Sequence, residues 1–247
     1  MKVVVKAEEY LKKIWGEIDV AIRGITPLLM NRVTPEELME DKVRRGKTRE
    51  EIPKEVKAER AAYRTEEGYL YIPGIAIYAC ILNGAKGYSV AYQGRRISAK
   101  TALSGTIRIQ PEKVILKDFK GNPITKYEID ESTGNIQKNR VAIFRPRINE
   151  WKAEFKILYN RALLNEKTLE LLAEIIMTAG STYGLLDYRP EHKGWFGCFI
   201  LESYEVKTPP LKPSEPLPGV YTEGLGLKLK AKKLDELLAE EEQEGKE

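Results

Sequence analysis

Residues 180–199 combine the residue types that contact nucleic acid at close range. The glycines of this stretch are Gly180, Gly184, Gly194 and Gly197. Its rings and cations are Tyr183, Tyr188, Arg189, Lys193, Trp195 and Phe196. Glycine lets the backbone take positive φ and approach a ligand, while rings stack on bases and cations pair with phosphates. The stretch predicts a binding loop, and the alternative is a long turn that packs Trp195 on the core.

A second binding signal lies at residues 88–104, which contain no acidic residue. The rings and cations of this segment are Tyr88, Tyr92, Arg95, Arg96 and Lys100. Single-stranded nucleic acid requires positive charge for its backbone and ring faces for its bases. We therefore predict a basic loop that binds a strand, with a passive connection as the alternative.

Further cations and one ring complete the predicted interface. The additional phosphate candidates are Arg23, Arg32, Lys86, Arg145 and Arg147, and the additional stacking candidate is Phe144. Phosphate contacts and stacking carry little sequence information. The prediction is therefore a protein that binds single strands without sequence specificity. The choice between RNA and DNA stays open, because only 2′-hydroxyl contacts separate the two.

Catalysis has few candidate residues. His192 is the single histidine and thus the one imidazole available for proton transfer. The acids Asp118, Glu128, Asp130 and Glu131 fall in predicted turns, where exposed carboxylates are commoner than metal ligands. The sequence predicts no enzyme, no metal and no cofactor. RNA cleavage that depends on His192 stays open as an alternative.

The charge of the chain is unevenly distributed. The formal net charge of the 247 residues is +4, and residues 235–247 alone carry −6, which leaves +10 on the other 234. A basic body with an acidic tail recurs in nucleic-acid-binding proteins, although charge runs also serve solubility alone. The balance of Lys, Glu, Tyr and Pro with one His is typical of thermophilic proteins.

Neither a membrane span nor a disulfide is predicted. No apolar run reaches the roughly 18 residues that cross a bilayer, and the N-terminus is too charged for a signal peptide. Cys80 and Cys198 lie far apart in apolar contexts, which favours buried, reduced thiols. These features predict a cytoplasmic protein with no membrane partner.

Periodicity divides the chain into alternating strands and helices. Strands are predicted at 17–23, 69–72, 106–119, 149–160 and 198–206, and helices at 53–63, 75–82 and 165–180. This alternation predicts one α+β domain over residues 1–206. Its expected insertions are a charged helical segment at 34–66, the basic loop at 88–104 and a hairpin at 118–147. Residues 207–247 are predicted to be a Pro-rich arm and acidic tail that offer a docking segment for a protein partner.

The order of three motifs resembles the RAMP superfamily, whose RRM-like subunits form the RNA-binding backbone of CRISPR effector complexes. The motifs are Pro27-Leu28 after the first strand, Ile72-Pro73-Gly74 before a helix, and Gly194-Trp195-Phe196-Gly197 in the late loop. The sequence departs from the family pattern at 75–77, where Ser-Ser-Leu is usual, and at Cys198, where a basic residue is common. Residues 26–30 and 184–197 also look like a group of uncharacterised tailed-virus proteins.

The resemblance implies a ferredoxin-like, RRM-like βαββαβ core with strand 17–23 and the last strand near its centre. Residues 88–100 and 140–147 then become projections that hold an extended strand of RNA or DNA. It also implies repeated copies of the chain along one strand in a CRISPR-like or viral nucleoprotein complex. The alternative from a different class is an assembly subunit whose arm and tail make only protein contacts.

Overall fold

Helices and antiparallel strands are mixed along the chain, which confirms the expected α+β class. The computed structural model describes residues 2–33, 52–92, 95–136, 139–212 and 215–223. The strands are β1 Lys2–Val5, β2 Trp15–Gly24, β3 Leu28–Leu29, β4 Tyr71–Pro73, β5 Ser89–Tyr92, β6 Arg95–Ser98, β7 Ile107–Gln110, β8 Lys113–Lys117, β9 Glu128–Ile136, β10 Asn139–Ile148, β11 Lys152–Asn160, β12 Phe199–Val206 and β13 Val220–Glu223. The helices are α1 Ala7–Lys13, α2 Lys54–Arg60, α3 Gly74–Gly84, α4 Ala99–Leu103 and α5 Glu166–Thr178.

The main sheet is built on β2 and β11, whose alternating sequences bury every second residue. These two strands pair antiparallel, β12 flanks β2, and β7 and β8 flank β11. Residues such as Ile18, Ile22 and Ile157 are fully buried, and each contributes roughly 1.5–3 kcal/mol to folding. The expectation that the last strand lies near the centre is wrong, because β12 pairs with β2 alone among the described strands and forms an edge.

Helices α3 and α5 cover one face of this sheet and share its core. Gly84 lets them approach closely, since a Cβ there would lie 2.7 Å from the carbonyl oxygen of Ile175. Helix α5 begins as expected at Asn165, whose side-chain oxygen accepts the amide of Thr168 at 2.9 Å. The chain order of β2, α3, β7–β8, β11, α5 and β12 has the connectivity of the ferredoxin-like βαββαβ unit.

The opposite surface of the sheet carries charged side chains, and we call it the open face. Its residues on the two central strands include Glu17, Asp19, Arg23, Lys152, Glu154 and Lys156, none of which is buried. They share one face because directly opposed residues of antiparallel strands point the same way. The open face is thus a charged surface on the side away from α3 and α5.

Two hairpins are inserted into the core. Strands β9 and β10 form the expected long hairpin, and β10 also pairs with β3. Residues 88–104 differ from the predicted loop, because they form the β5–β6 hairpin followed by α4. The reason is apolar burial, since Val90, Ala99, Ala102 and Leu103 enter the core. Within the predicted insertion at 34–66, α2 is described, and residues 34–51 lie outside the described part of the chain.

The described part of the arm runs along the body of the protein. The hydroxyl of Tyr159 donates to the carbonyl of Thr208, and the Arg161 guanidinium donates to the carbonyl of Pro209 at 2.7 Å. The chain then returns as β13, which pairs with β1. The described parts of the arm, residues 207–212 and 215–223, therefore pack against the protein, and residues 213–214 and 224–247 lie outside the described residues.

Candidate nucleic-acid interface

The loop between α5 and β12 folds back on itself through its glycines. Gly184 and Gly197 take positive φ of 69° and 70°, and the amide of Leu185 donates to the carbonyl of Gly197 at 2.9 Å. A Cβ at Gly194 would collide with the carbonyl oxygen of Tyr188. Side chains at these three positions would strain or open the loop, so their glycines are required by the fold.

Three residues other than glycine also take left-handed φ in this loop. They are Leu186 at 60°, Tyr188 at 49° and Lys193 at 63°. Such conformations cost on the order of 1–3 kcal/mol each and persist where the surroundings enforce them. The surroundings here include the amide of Asp187, which bonds to the carbonyl of Leu29 at 3.1 Å. Strained backbone concentrates at binding and catalytic sites, which makes this loop the first candidate for function.

Three rings meet at the exposed end of the loop, and we call them the loop-tip cluster: Tyr188, Trp195 and Phe196. Tyr188 and Phe196 are stacked with centroids 6.0 Å apart and an interplanar angle of 29°. The Trp195 ring lies 6.2 Å from that of Phe196. Trp195 is 71% exposed and Tyr188 45% exposed, so both present ring surface to solvent instead of packing on the core.

Cations surround the loop-tip cluster. The Arg147 guanidinium lies 5.9 Å from the centre of the Phe196 ring and donates to the side-chain oxygen of Asn149 at 2.8 Å. Lys193 is exposed two residues before Trp195, and neither cation has an ion pair with a described acid. Arg32 is exposed after β3, where its backbone amide bonds to the carbonyl of Ala61 at 2.9 Å. The structure thus brings the Arg147 guanidinium to the ring of Phe196, and Lys193 is near Trp195 along the chain.

Arg145 is buried and paired with acids, although the sequence predicted it to be an exposed phosphate contact. It is 6% exposed, and its guanidinium pairs with Asp130 at 2.7 Å and with Asp187 at 2.8 Å. The same guanidinium lies 5.6 Å from the centre of the Tyr188 ring. Arg145 therefore stabilises the loop through its two ion pairs. Because it is buried and already paired, it is not accessible to the phosphates of a nucleic-acid strand.

Glu191 joins the loop to the end of α3. Its carboxylate accepts from Arg189 at 3.0 Å, from Asn83 at 3.0 Å and from Lys86 at 3.4 Å. Burial raises the pKa of Glu191, but the two cations outweigh burial and hold it below its usual value. The predicted phosphate candidates Arg189 and Lys86 are therefore partly neutralised. His192 is exposed beside them, in the turn Pro190–His192.

The cations of β6 and of the helix α4 that follows it form a second group. Arg95, Arg96 and Lys100 are exposed, and the Arg96 guanidinium donates to the Ser89 hydroxyl at 2.7 Å. None of the three pairs with an acid within the described residues. The bond between Lys86 and Glu191 connects this group to the loop. The side chain of Tyr92 lies outside the described part.

Three further candidates have other roles. Tyr88 is half-buried against the core, and its hydroxyl is 2.7 Å from that of Thr178, so its ring is not a free stacking surface. Phe144 lies under Lys57, whose ammonium is 5.2 Å from the ring centre. Arg23 lies on the open face. Its guanidinium pairs with Glu202 at 2.8 Å, so its charge already has an acidic partner.

The acids considered for a metal site are engaged elsewhere or lie apart. Asp118 accepts the amides of Lys120 and Asn122 in a turn, and Glu131 pairs with Lys54 at 2.7 Å. No cluster of three or more His, Cys, Asp or Glu residues suited to a metal ion occurs in the described ranges. No described helix has the length and apolar character needed to span a bilayer.

Cys80 is buried behind the loop and is unreactive. Burial raises the pKa of its thiol to about 12, and the thiol donates to the carbonyl of Gly184 at 3.1 Å. The thiolate that nucleophilic chemistry requires is therefore absent at neutral pH. Cys80 and Cys198 are both buried, free thiols, as predicted.

Sequence reasoning named Phe196 among the rings of the loop without placing it against Tyr188, and it missed Asp187 as an organising acid. Phe196 follows Trp195 directly between two glycines, and that adjacency was the available signal. Asp187 has no such signal, because its partner Arg145 lies 42 residues away in the chain.

Comparisons with known proteins give a distant structural likeness. Neither a protein-family model nor a curated protein sequence matches the chain. A chain in the solved structure of a type III-B Cmr-beta complex bound to cognate target RNA is similar with a TM-score of 0.47 and 13% sequence identity. The match covers 81% of this chain and 63% of that one, so this protein spans less than two thirds of its length. The resemblance to the RAMP superfamily stays a prediction.

Proposed function

We propose that the protein binds single-stranded nucleic acid along a band from the loop-tip cluster to the β5–β6 hairpin. Trp195 and Tyr188 stack on bases. The phosphate contacts are Arg32, Arg147, Lys193, Arg95, Arg96 and Lys100. The observation that carries the proposal is the exposed ring surface of Trp195 beside cations that lack an acidic partner among the described residues. Stacking platforms flanked by positive charge are the common means of holding a single strand.

The charge balance supports the same function. The chain without its last 13 residues carries a formal charge of +10, which attracts a polyanion over a distance of about 10 Å at 0.1 M salt. Ion pairs with acidic side chains neutralise part of this charge, at Arg145, Arg189 and Lys86. Among the described residues, Arg147 and Lys193 at the loop tip and Arg95, Arg96 and Lys100 near the β5–β6 hairpin have no ion pair with an acid, and the proposed strand runs along them.

We further propose that several copies bind side by side on one strand. Stacking and phosphate contacts accept any base, so a strand longer than one site offers equivalent sites to further copies. The number of chains bound per strand should then rise in steps with strand length. A single chain on strands of every length would contradict this part of the proposal.

Labelled strands at two salt concentrations test the function. Fluorescence anisotropy should show binding to single-stranded RNA or DNA and weaker binding to a duplex. Each single-strand phosphate contact adds about 0.7 to the slope of log affinity against log salt. No binding at low salt would overturn the proposal and favour an assembly subunit that contacts only proteins.

Binding is proposed to leave the strand intact. The control is a long incubation of RNA with the wild-type protein and with the variant His192→Ala, followed by separation of the RNA by length. Uncut RNA in both samples fits a binding protein. Cleavage that His192→Ala abolishes would instead establish a ribonuclease.

A further inference from the structure

The carboxylate of Glu191 is surrounded by nitrogen donors. Its oxygen Oε2 accepts from two nitrogens of Arg189, Nη2 at 3.0 Å and Nε at 3.3 Å. The same oxygen accepts from the side-chain amide of Asn83 at 3.0 Å, and the other oxygen, Oε1, lies 3.4 Å from the Nζ of Lys86. Two cations and an amide thus form a site for an anion, and Glu191 of the same chain fills it.

Each donor also has a support that does not involve this carboxylate. The third guanidinium nitrogen of Arg189, Nη1, donates to the carbonyl of Leu186 at 2.6 Å. Asn83 belongs to helix α3, and the ammonium of Lys86 lies 5.4 Å from the centre of the Tyr183 ring. The donors are therefore held near one another by the fold, so the site is preformed for whichever anion enters it.

Phosphate suits the same donors as a carboxylate does. The Nε and Nη2 of a guanidinium form a planar fork that matches two oxygens of a phosphate. Here both nitrogens share one oxygen of Glu191, so the carboxylate leaves the fork imperfectly filled. A phosphodiester presents two free oxygens, one on each side of the phosphorus, which also reach an amide and an ammonium. The carboxylate therefore occupies a site that a strand phosphate fits as well or better.

The ion pairs of Glu191 are exposed enough to be exchanged. The side chains of Arg189 and Lys86 are 25% and 44% exposed, whereas that of Arg145 is 7% exposed. Breaking a surface ion pair costs little, while breaking a buried one leaves an uncompensated charge in the interior. A phosphate is therefore able to replace the carboxylate at Arg189 and Lys86, although Arg145 stays closed to it.

This site lies on the proposed path of the strand. Arg189 directly follows Tyr188 of the loop-tip cluster. Lys86 lies in the turn Ala85–Gly87, which contacts both β6 and α4. The ion pair between Lys86 and Glu191 joins these two parts of the surface. A strand that runs from the rings to the β5–β6 hairpin therefore passes the carboxylate.

We propose that Arg189, Asn83 and Lys86 form a further phosphate site, which Glu191 occupies in the free protein and a phosphate of the bound strand takes over. On binding, the carboxylate turns to solvent and its two ion pairs pass to the phosphodiester. This inference rests on the proposed function, since the strand supplies the phosphate. It follows that Glu191 competes with the strand and lowers its affinity.

The variant Glu191→Gln tests the competition, because it keeps the shape of the side chain and removes its charge. It should bind a 12-nucleotide single strand about 3- to 30-fold more tightly than the wild-type protein, since two exposed ion pairs no longer have to be broken. The matched control is Glu17→Gln, which removes an acid that pairs with Lys156 on the open face and should leave affinity unchanged. Fluorescence anisotropy in a phosphate-free buffer at pH 7.5 gives the dissociation constants, and thermal unfolding checks that both variants are folded.

A second pair of variants separates the phosphate site from general repulsion between an acid and the strand. In a protein that already carries Lys86→Gln, the gain from Glu191→Gln should be smaller, because one of the two cations that the substitution frees is absent. General repulsion does not depend on Lys86. A gain of the same size with and without Lys86 would therefore overturn the phosphate site.

The remaining outcomes are distinguishable. Equal or weaker binding by Glu191→Gln, or an equal gain in Glu17→Gln, overturns this inference and leaves the proposed function standing. A gain that appears only after inorganic phosphate is added would assign the site to the free ion and likewise overturn it. No binding by the wild-type protein or by Glu191→Gln at low salt overturns both the inference and the proposed function.

Discussion

The loop tip and the open face both carry cations beside aromatic rings, but several cations of the open face are paired with acids and Arg147 and Lys193 are not paired with a described acid. On the open face, Lys156 pairs with Glu17 at 2.7 Å and Lys117 with Glu154 at 2.6 Å. At the loop tip, Arg147 lies against a ring and Lys193 has no acidic partner among the described residues. Both surfaces therefore carry lysine and arginine side chains, but those of the loop tip are more available to a negatively charged ligand.

The aromatic rings of the two surfaces also differ in how far they are covered by neighbouring side chains. Trp15 on the open face lies under the Arg108 guanidinium, which is 4.4 Å from the ring centre. Trp195 at the loop tip has only the edge of the cluster beside it and is 71% exposed. The comparison teaches that the number of cations and rings does not locate a binding surface. What locates it is which of them the fold leaves without a partner.

The largest expected effect contrasts two arginines. Arg145→Ala should lower the free energy of unfolding by about 3–5 kcal/mol, because it leaves Asp130 and Asp187 without their cation in a largely buried position. Arg23→Ala on the open face breaks a more exposed pair and should cost about 0–1 kcal/mol. Urea denaturation measures both values. Equal losses would show that the loop is not anchored by Arg145.

The second effect contrasts two tryptophans. Trp195→Ala should weaken single-strand binding by about 1–3 kcal/mol, the contribution of one base–ring stack, which is roughly 5- to 150-fold in affinity. Trp15→Ala is the matched control and should leave affinity unchanged. Fluorescence anisotropy gives both dissociation constants. A loss with Trp15→Ala and none with Trp195→Ala would move the binding surface to the open face.

The third effect is on salt dependence. Replacing Arg147 and Lys193 by alanine should reduce the slope of log affinity against log salt by about 1.4, because each single-strand phosphate contact contributes about 0.7. Replacing Lys117 and Lys156 removes the same charge from the open face and should leave the slope unchanged. The slope is obtained from titrations at four salt concentrations. The same decrease in both double variants would mean that only overall charge matters.

The smallest expected effect is on the stability of the protein at acidic pH. The folded pKa of Glu191 is below its usual value of 4.5, so its carboxylate stabilises the protein above that value, and the contribution is lost as the pH falls through the folded pKa. Glu191→Gln should cost up to about 1 kcal/mol at pH 7. That difference should begin to shrink below pH 4.5 and disappear below the folded pKa. Thermal unfolding of both proteins across this range measures it, and a constant difference would exclude Glu191 as the cause.

Much of the fold could be predicted from local pattern. The alternation at 17–23 and 149–160 identified β2 and β11, and Asn165 marked the start of α5. The expected stop at Gly180 is wrong, because a π-helical turn continues the helix from Ala179 to Tyr183. Local pattern was insufficient at 88–104, where composition predicted a loop. The burial of Val90 and Leu103 against distant parts of the chain turned it into a hairpin and helix. The edge position of β12 also depends on pairing that no local signal encodes.

The candidate site was predicted in composition but not in arrangement. Periodicity, glycine spacing and charge determined by themselves that the protein has an α+β core, a long glycine loop and a basic body, because these depend on short stretches of chain. Only the tertiary structure decided that Arg145 is held in ion pairs and that the Tyr88 ring is half-buried. It also decided that Trp195 is exposed and that Arg147 and Lys193 have no described acidic partner. The physical reason is that an ion pair or a buried ring depends on partners far away in the sequence, and folding alone brings them within a few ångströms.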